Sequence, residues 1–121
     1  MAKILIAEDD LTSRRMLVKI VEGMGHVAIQ ASDGEVAWGI LADNHDIAML
    51  ITDVMMPNLD GRALIQIARG NDALKDLPII IISGVIKLEE IDYLLQLGAS
   101  RFMPKPVKVS DLKHYISVLL S

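Results

Sequence analysis

A chain of 121 residues with 52% apolar and 23% charged residues has room for one packed core and is too apolar to remain a disordered polymer. Twelve Lys and Arg against sixteen Asp and Glu leave a net charge of −4, and no basic run makes the footprint of a nucleic-acid binder, so direct nucleic-acid contact is not expected. The lack of Cys excludes disulfide frameworks and thiolate metal sites; the apolar run in the opening MAKILIAEDD is too short for a signal core or a membrane span, and a cytoplasmic chain without membrane insertion is expected.

The first apolar run, residues 4–7, is short enough for a strand and stops at three acids, Glu8, Asp9 and Asp10. Leu17, Ile20, Val21 and Met24 follow at helical spacing, with Gly25 placed as a left-handed stop. Either Asp9 or Asp10 can serve as the cap of that helix. Residues 27–31 read as a second strand, and Ser32-Asp33-Gly34-Glu35 has capping-box spacing for a second helix. A third strand, 47–51, runs through one hydroxyl into Asp53, after which MMPNLDG reads as a turn. Asp60 there suits a turn or a cap. Leu64, Ile67 and Ala68 give a third helix, residues 79–82 a fourth strand ending at Ser83-Gly84, and Ile91, Leu94 and Leu95 a fourth helix closed by Gly98. A fifth strand near 100–103 leads to Lys105-Pro106. A final helix at Leu112, Tyr115, Ile116 and Leu119 has Ser110 as its expected N-cap.

Five strands apolar on both faces, alternating with helices, specify right-handed crossovers and a parallel sheet covered on both sides. The expected fold is therefore α/β, a three-layer doubly wound five-stranded parallel sheet in one domain over residues 1–121. Trp38, Tyr93, Tyr115 and the methionines are expected to pack, and His26, His45 and His114 are too dispersed to form a metal motif.

Ligands of such sheets gather beyond the carboxyl ends of the strands. Glu8, Asp9, Asp10, Asp53, Ser83 and Lys105 all fall there. Clustered carboxylates repel one another unless a cation compensates them, and an all-oxygen donor set suits hard Mg²⁺. Carboxylates can attack phosphorus, Lys105 would supply a fixed positive charge, and Ser83 a neutral donor to phosphoryl oxygens.

The motifs ILIAEDD, LIITDVMMPNLDG, PIIIISG and FMPKP, in that order across the chain, resemble the receiver domain of two-component response regulators. The resemblance implies a flavodoxin-like strand order of 2-1-3-4-5 with five helices. It implies Asp53 as phosphoacceptor, Glu8 and Asp9 as the acidic pair holding Mg²⁺ with Asp53 and the Met55 carbonyl, and Lys105 as the lysine that pairs with the phosphoryl group. Ser83 matches the switch hydroxyl, Phe102 the aromatic that changes rotamer, and the Lys105–Pro106 bond a cis peptide. Met55 and Val85 stand at positions that tune acyl-phosphate lifetime. Being apolar, they are expected to hinder an attacking water and slow self-dephosphorylation.

By the same resemblance the donor is a histidine kinase or a histidine phosphotransfer protein. The output is a protein target on the surface of the fourth helix, fifth strand and fifth helix, and the chain is a monomer or weak dimer with slow self-catalysed hydrolysis. An apolar partner or dimer surface near Ile86 and Tyr93 is a further expectation. An aspartate-nucleophile phosphatase would want a second Asp where Met55 stands, and a nucleotide binder a Gly-rich loop where EDDLTS stands. A phosphorylation-independent module would have no use for the retained acids, hydroxyl and lysine.

Overall fold

Four consecutive isoleucines, Ile79 to Ile82, are all buried, and they send their side chains alternately to two separate cores. Ile79 and Ile81 join one, and Ile80 and Ile82 the other. A strand with that pattern must lie between two layers of helices. In this computed structural model, which describes residues 1–44, 46–84 and 87–121, that is the arrangement. The elements are β1 (Lys3–Ala7), α1 (Leu11–Gly23), β2 (Val27–Ala31), α2 (Gly34–Asp43), β3 (Ile47–Asp53), α3 (Gly61–Arg69), β4 (Ile79–Ser83), α4 (Leu88–Leu97), β5 (Arg101–Pro104) and α5 (Val109–Leu120). The sheet order is β2-β1-β3-β4-β5, with every pairing parallel.

One core packs Ala37 and Leu41 of α2, Leu64, Ile65 and Ala68 of α3 and Leu94 of α4 against Leu5, Leu50 and Ile81. The other packs Leu17, Ile20 and Val21 of α1 with Leu112 and Ile116 of α5 against Ile4, Ile6, Met49 and Ile51. Each buried Leu or Ile contributes about 1.5–3 kcal/mol by leaving water. The expected three-layer fold is thus observed. Trp38 and Tyr115 pack against these cores as expected. Tyr93 does not: it is 48% exposed, because α4 turns its neighbour Leu94 to the sheet. Met55, also expected to pack, is 68% exposed. Ile86 and Val85 lie outside the described residues.

Helix ends account for the other departures. Gly25 has φ +85° and follows α1 as expected, a backbone state an L side chain resists. Asp33, not Ser32, caps α2, its carboxylate accepting from the Val36 N–H at 2.8 Å. Its other oxygen accepts from the Asn58 amide at 2.8 Å. The carboxylate adds charge that favours the positive end of the helix dipole. Ser110 is not the cap of α5 either. That helix starts from Lys108, whose carbonyl accepts from the Leu112 N–H at 3.1 Å, and no side chain caps it.

Candidate functional site

The register of the sheet brings the polar residues together. Ala7 pairs with Thr52, so the next residues, Glu8 and Asp53, lie side by side on adjacent strands at the point where the strand order reverses. β3 runs two residues further than the apolar run 47–51 indicates, and Asp53 is its last residue. Ser83, paired with Pro104, ends β4. The Lys105 N–H then continues that ladder to the Ser83 carbonyl at 3.0 Å.

Asp53 is 8% exposed. Its Oδ1 accepts from the Val54 N–H at 2.7 Å and faces the Met55 N–H at 3.4 Å, while its Oδ2 accepts from Lys105 Nζ at 2.7 Å. Glu8, 1% exposed, accepts from the same ammonium through Oε1 at 2.8 Å and from the Asp10 N–H through Oε2 at 3.2 Å. One lysine therefore bridges two buried carboxylates. Burial, with the Asp53 charge adding to it, pushes the Glu8 carboxyl up to about 7 against the counter-effect of Lys105. Burial works against the Lys105 ammonium, yet its bonds to Asp53 and Glu8 prevail and hold it above the usual lysine range.

Asp10 is the N-cap of α1, its side chain accepting from the Ser13 N–H at 2.8 Å, which leaves Asp9 free of that duty. Asp60 likewise caps α3, accepting from the Ala63 N–H at 2.9 Å. Gly61 then passes so close to the β3 end that an added Cβ would collide with the Asp53 carbonyl oxygen and come within 2.9 Å of Val54 Cα. Lacking a side chain there lets the loop after Asp53 fold back onto the strand. Ser83 is buried at the end of β4, one residue beyond Ile82, the register partner of Asp53. Phe102 is half-buried and packs on the α2–α3–α4 side of the sheet. The Lys105–Pro106 peptide is cis.

Carboxylate oxygens of Glu8, Asp9 and Asp53 all lie within 4.8 Å of one another. Three carboxylates against one lysine leave the cluster negative, and all its donors are oxygens. That chemistry fits a hard divalent cation such as Mg²⁺ and is wrong for a soft one. The described residues include no helix long and apolar enough to cross a membrane.

Comparison with known proteins agrees with this geometry. A family model described as response regulator receiver domain matches residues 4–117. The chain belongs to the response regulator receiver family. A chemotaxis protein CheY homolog of Campylobacter jejuni is 30% identical over 98% of this chain and 92% of its own length. Chemotaxis protein CheY1 of Helicobacter pylori is 31% identical over 98% and 96%. Among solved structures, the Francisella response regulator 1452 receiver domain superposes with a TM-score of 0.91 at 28% identity, covering 99% of this chain and 97% of that one. Receivers are the signalling modules of two-component and chemotaxis systems, working with histidine kinases and downstream targets. The receiver fold, with strand order 2-1-3-4-5, is the one anticipated from the motifs.

Two groups of functional interest went unread in the sequence. Arg14 Nη1 donates to the Glu8 carbonyl at 2.9 Å, and its Nε donates to Gln30 Oε1 at 3.1 Å. Arg69 donates to the carbonyls of Leu74, Leu77 and Gly98 at 3.0, 2.6 and 2.7 Å. Apart from the Gln30 side chain, their partners are main-chain oxygens, which carry no residue identity to recognise.

Proposed function

We propose that this receiver takes a phosphoryl group from a phosphohistidine onto Asp53 and signals through the surface change that follows. The observation that carries the reading is the shared ammonium: Lys105 Nζ lies 2.7 Å from Asp53 and 2.8 Å from Glu8 at the strand ends. A carboxylate so held is fixed in place, and the same ammonium can follow the charge onto a phosphoryl oxygen.

In the reaction, an Asp53 oxygen forms a bond to phosphorus as the bond from phosphorus to the donor's imidazole nitrogen breaks. The nitrogen keeps that electron pair and takes up a proton. Transfer of this kind is catalysed by positioning and by neutralising charge spread over the equatorial oxygens. Lys105 supplies one such charge. Glu8, Asp9, Asp53 and the Met55 carbonyl would hold Mg²⁺, which, when bound, offsets the mutual repulsion of the carboxylates and the incoming phosphoryl group. The Ser83 hydroxyl then donates to a phosphoryl oxygen, Phe102 moves into the space vacated, and α4, β5 and α5 present an altered surface to a protein target. Asp53 phosphate is lost slowly by hydrolysis at the same site. The donor is a cytoplasmic histidine kinase or histidine phosphotransfer protein, and the domain spans the chain.

Intact mass after incubation with a small phosphodonor and Mg²⁺ tests this. Wild type should gain one phosphoryl group and Asp53→Asn none. Failure of wild type to gain it, or equal gain by the variant, refutes the assignment.

A further inference from the structure

Asp9 differs from its companions in the acidic cluster. Glu8 and Asp53 are buried and tied by hydrogen bonds. Asp9 is exposed, and among the described residues its carboxylate accepts no hydrogen bond, yet it stands within 4.8 Å of the other two. An unrestrained side chain is aimed chiefly by the backbone from which it leaves. The backbone here is the peptide unit joining Glu8 to Asp9, which is planar and turns as one body.

On the strand side, Glu8 N–H extends the β1–β2 ladder to the Ala31 carbonyl at 3.1 Å. The Glu8 carbonyl, which belongs to the Glu8–Asp9 plane itself, accepts from Arg14 Nη1 at 2.9 Å. Arg14 Nε in turn donates to Gln30 Oε1 at 3.1 Å. Two nitrogens of one planar fork are thus engaged, which orients the guanidinium towards the carbonyl. Among the described residues, Arg14 is the one side chain that holds this carbonyl.

We infer that Arg14, braced by Gln30, is a positioning residue that fixes the Glu8–Asp9 peptide plane and so aims the exposed Asp9 carboxylate at the cation site. The inference rests on the reading of Glu8, Asp9 and Asp53 as Mg²⁺ ligands. Its sign is opposite to that of simple electrostatics. A positive charge near a cation site weakens cation binding, so charge removal alone would tighten it. Loss of positioning loosens it.

Isothermal titration with Mg²⁺ alone, on wild type, Arg14→Met, Arg14→Lys and Gln30→Ala, each checked for folding by circular dichroism, reads this sign. Arg14→Met and Arg14→Lys should bind Mg²⁺ about tenfold more weakly, within the usual range for lost outer-sphere support. Gln30→Ala, on an exposed edge strand, should bind several-fold more weakly. Equal or tighter binding by Arg14→Met overturns the inference. If the Arg14 variants do not fold, unchanged affinity in Gln30→Ala overturns it instead. Absence of Mg²⁺ binding by wild type would refute the cation site and this inference together, whereas wild-type binding with unaffected variants refutes the inference alone.

Discussion

Lys105 Nζ stands 2.7 Å from Asp53 Oδ2, a contact between residues 52 apart in sequence. The same nitrogen reaches Glu8, 97 residues away, so one flexible side chain determines whether two buried carboxylates can coexist. In Mg²⁺-free buffer at neutral pH, Lys105→Met should lose about 1–3 kcal/mol in urea denaturation, the range for a buried polar group left unpartnered. Water reaching the 29% exposed lysine side chain keeps the loss below that of a fully buried pair. Phosphorylation by a small donor should slow by about a hundredfold. A variant as stable and as fast as wild type would contradict both expectations.

Glu8 gives the site a pH dependence of definite sign. Its folded pKa, about 7, lies above the ordinary 4.5 because of burial and then the Asp53 charge. Between those values the folded chain binds more protons than the unfolded one, so stability from this group is full below 4.5 and is lost as pH rises towards 7. One proton limits the slope to about 1.4 kcal/mol per pH unit. Urea midpoints measured without divalent ions from pH 5 to pH 8 should therefore fall more steeply for wild type than for Glu8→Gln. Parallel curves would show that Glu8 titrates normally.

Met55 combines a backbone role with an unused side chain. Its N–H faces Asp53 Oδ1 at 3.4 Å, while the residue is 68% exposed, too open for packing to explain its identity. An apolar group at this rim should deny water an ordered approach to the phosphoryl group. Phosphoprotein decay, followed by intact mass, should quicken several-fold in Met55→Asn, and again with Val85→Glu, a residue outside those described. Unchanged decay would remove both from the control of signal lifetime.

Arg69 ties the end of α3, the segment before β4 and the end of α4 to one guanidinium. Burial disfavours its charge, with the Asp76 charge acting against it, and the guanidinium donors are met by three carbonyls. Arg69→Met should destabilise the chain by about 2–3 kcal/mol in urea. Arg69→Lys should recover less than half of that, because a point charge cannot serve three carbonyls in the directions a fork does. Equal stability of the lysine variant and wild type would reduce the contact to charge alone.

A residue type announces some structural roles and is silent on others. The strand runs, Gly25, Gly98 and the polar residues at four strand ends were legible because apolar periodicity and special backbone states leave a local mark. The roles of Asp9 and Asp10 were not separable locally, since both stand before the same helix; the hydrogen bond from Ser13 N–H to Asp10 assigns the cap. Asp33 outcompeted Ser32, and α5 began ahead of Ser110, because helix ends answer to the neighbouring loop, in the first case Asn58. The roles of Arg14 and Arg69 leave no such local mark. Their worth lies in carbonyls brought near by the fold, and a carbonyl looks the same at every position.

The isoleucine run of β4 has a consequence of its own. Because Ile79, Ile80, Ile81 and Ile82 are alike and both faces of the strand are buried, sliding β4 by one residue would exchange one isoleucine for another across much of the core. Apolar packing is nearly blind to such a slip. Main-chain bonds of the ladder would re-form after a slip, so the alignment rests on residues of distinct identity at the strand's ends: Pro78, which has no N–H to offer the ladder, Ser100, whose Oγ accepts from the Ile79 N–H at 3.0 Å, and the polar Ser83 that closes the strand. A chain shifted by one position could remain well packed, yet it would carry Ser83 away from Asp53. A misaligned β4 would thus yield a folded protein whose strand-end polar groups no longer meet, an error that the bulk of its packing does not oppose.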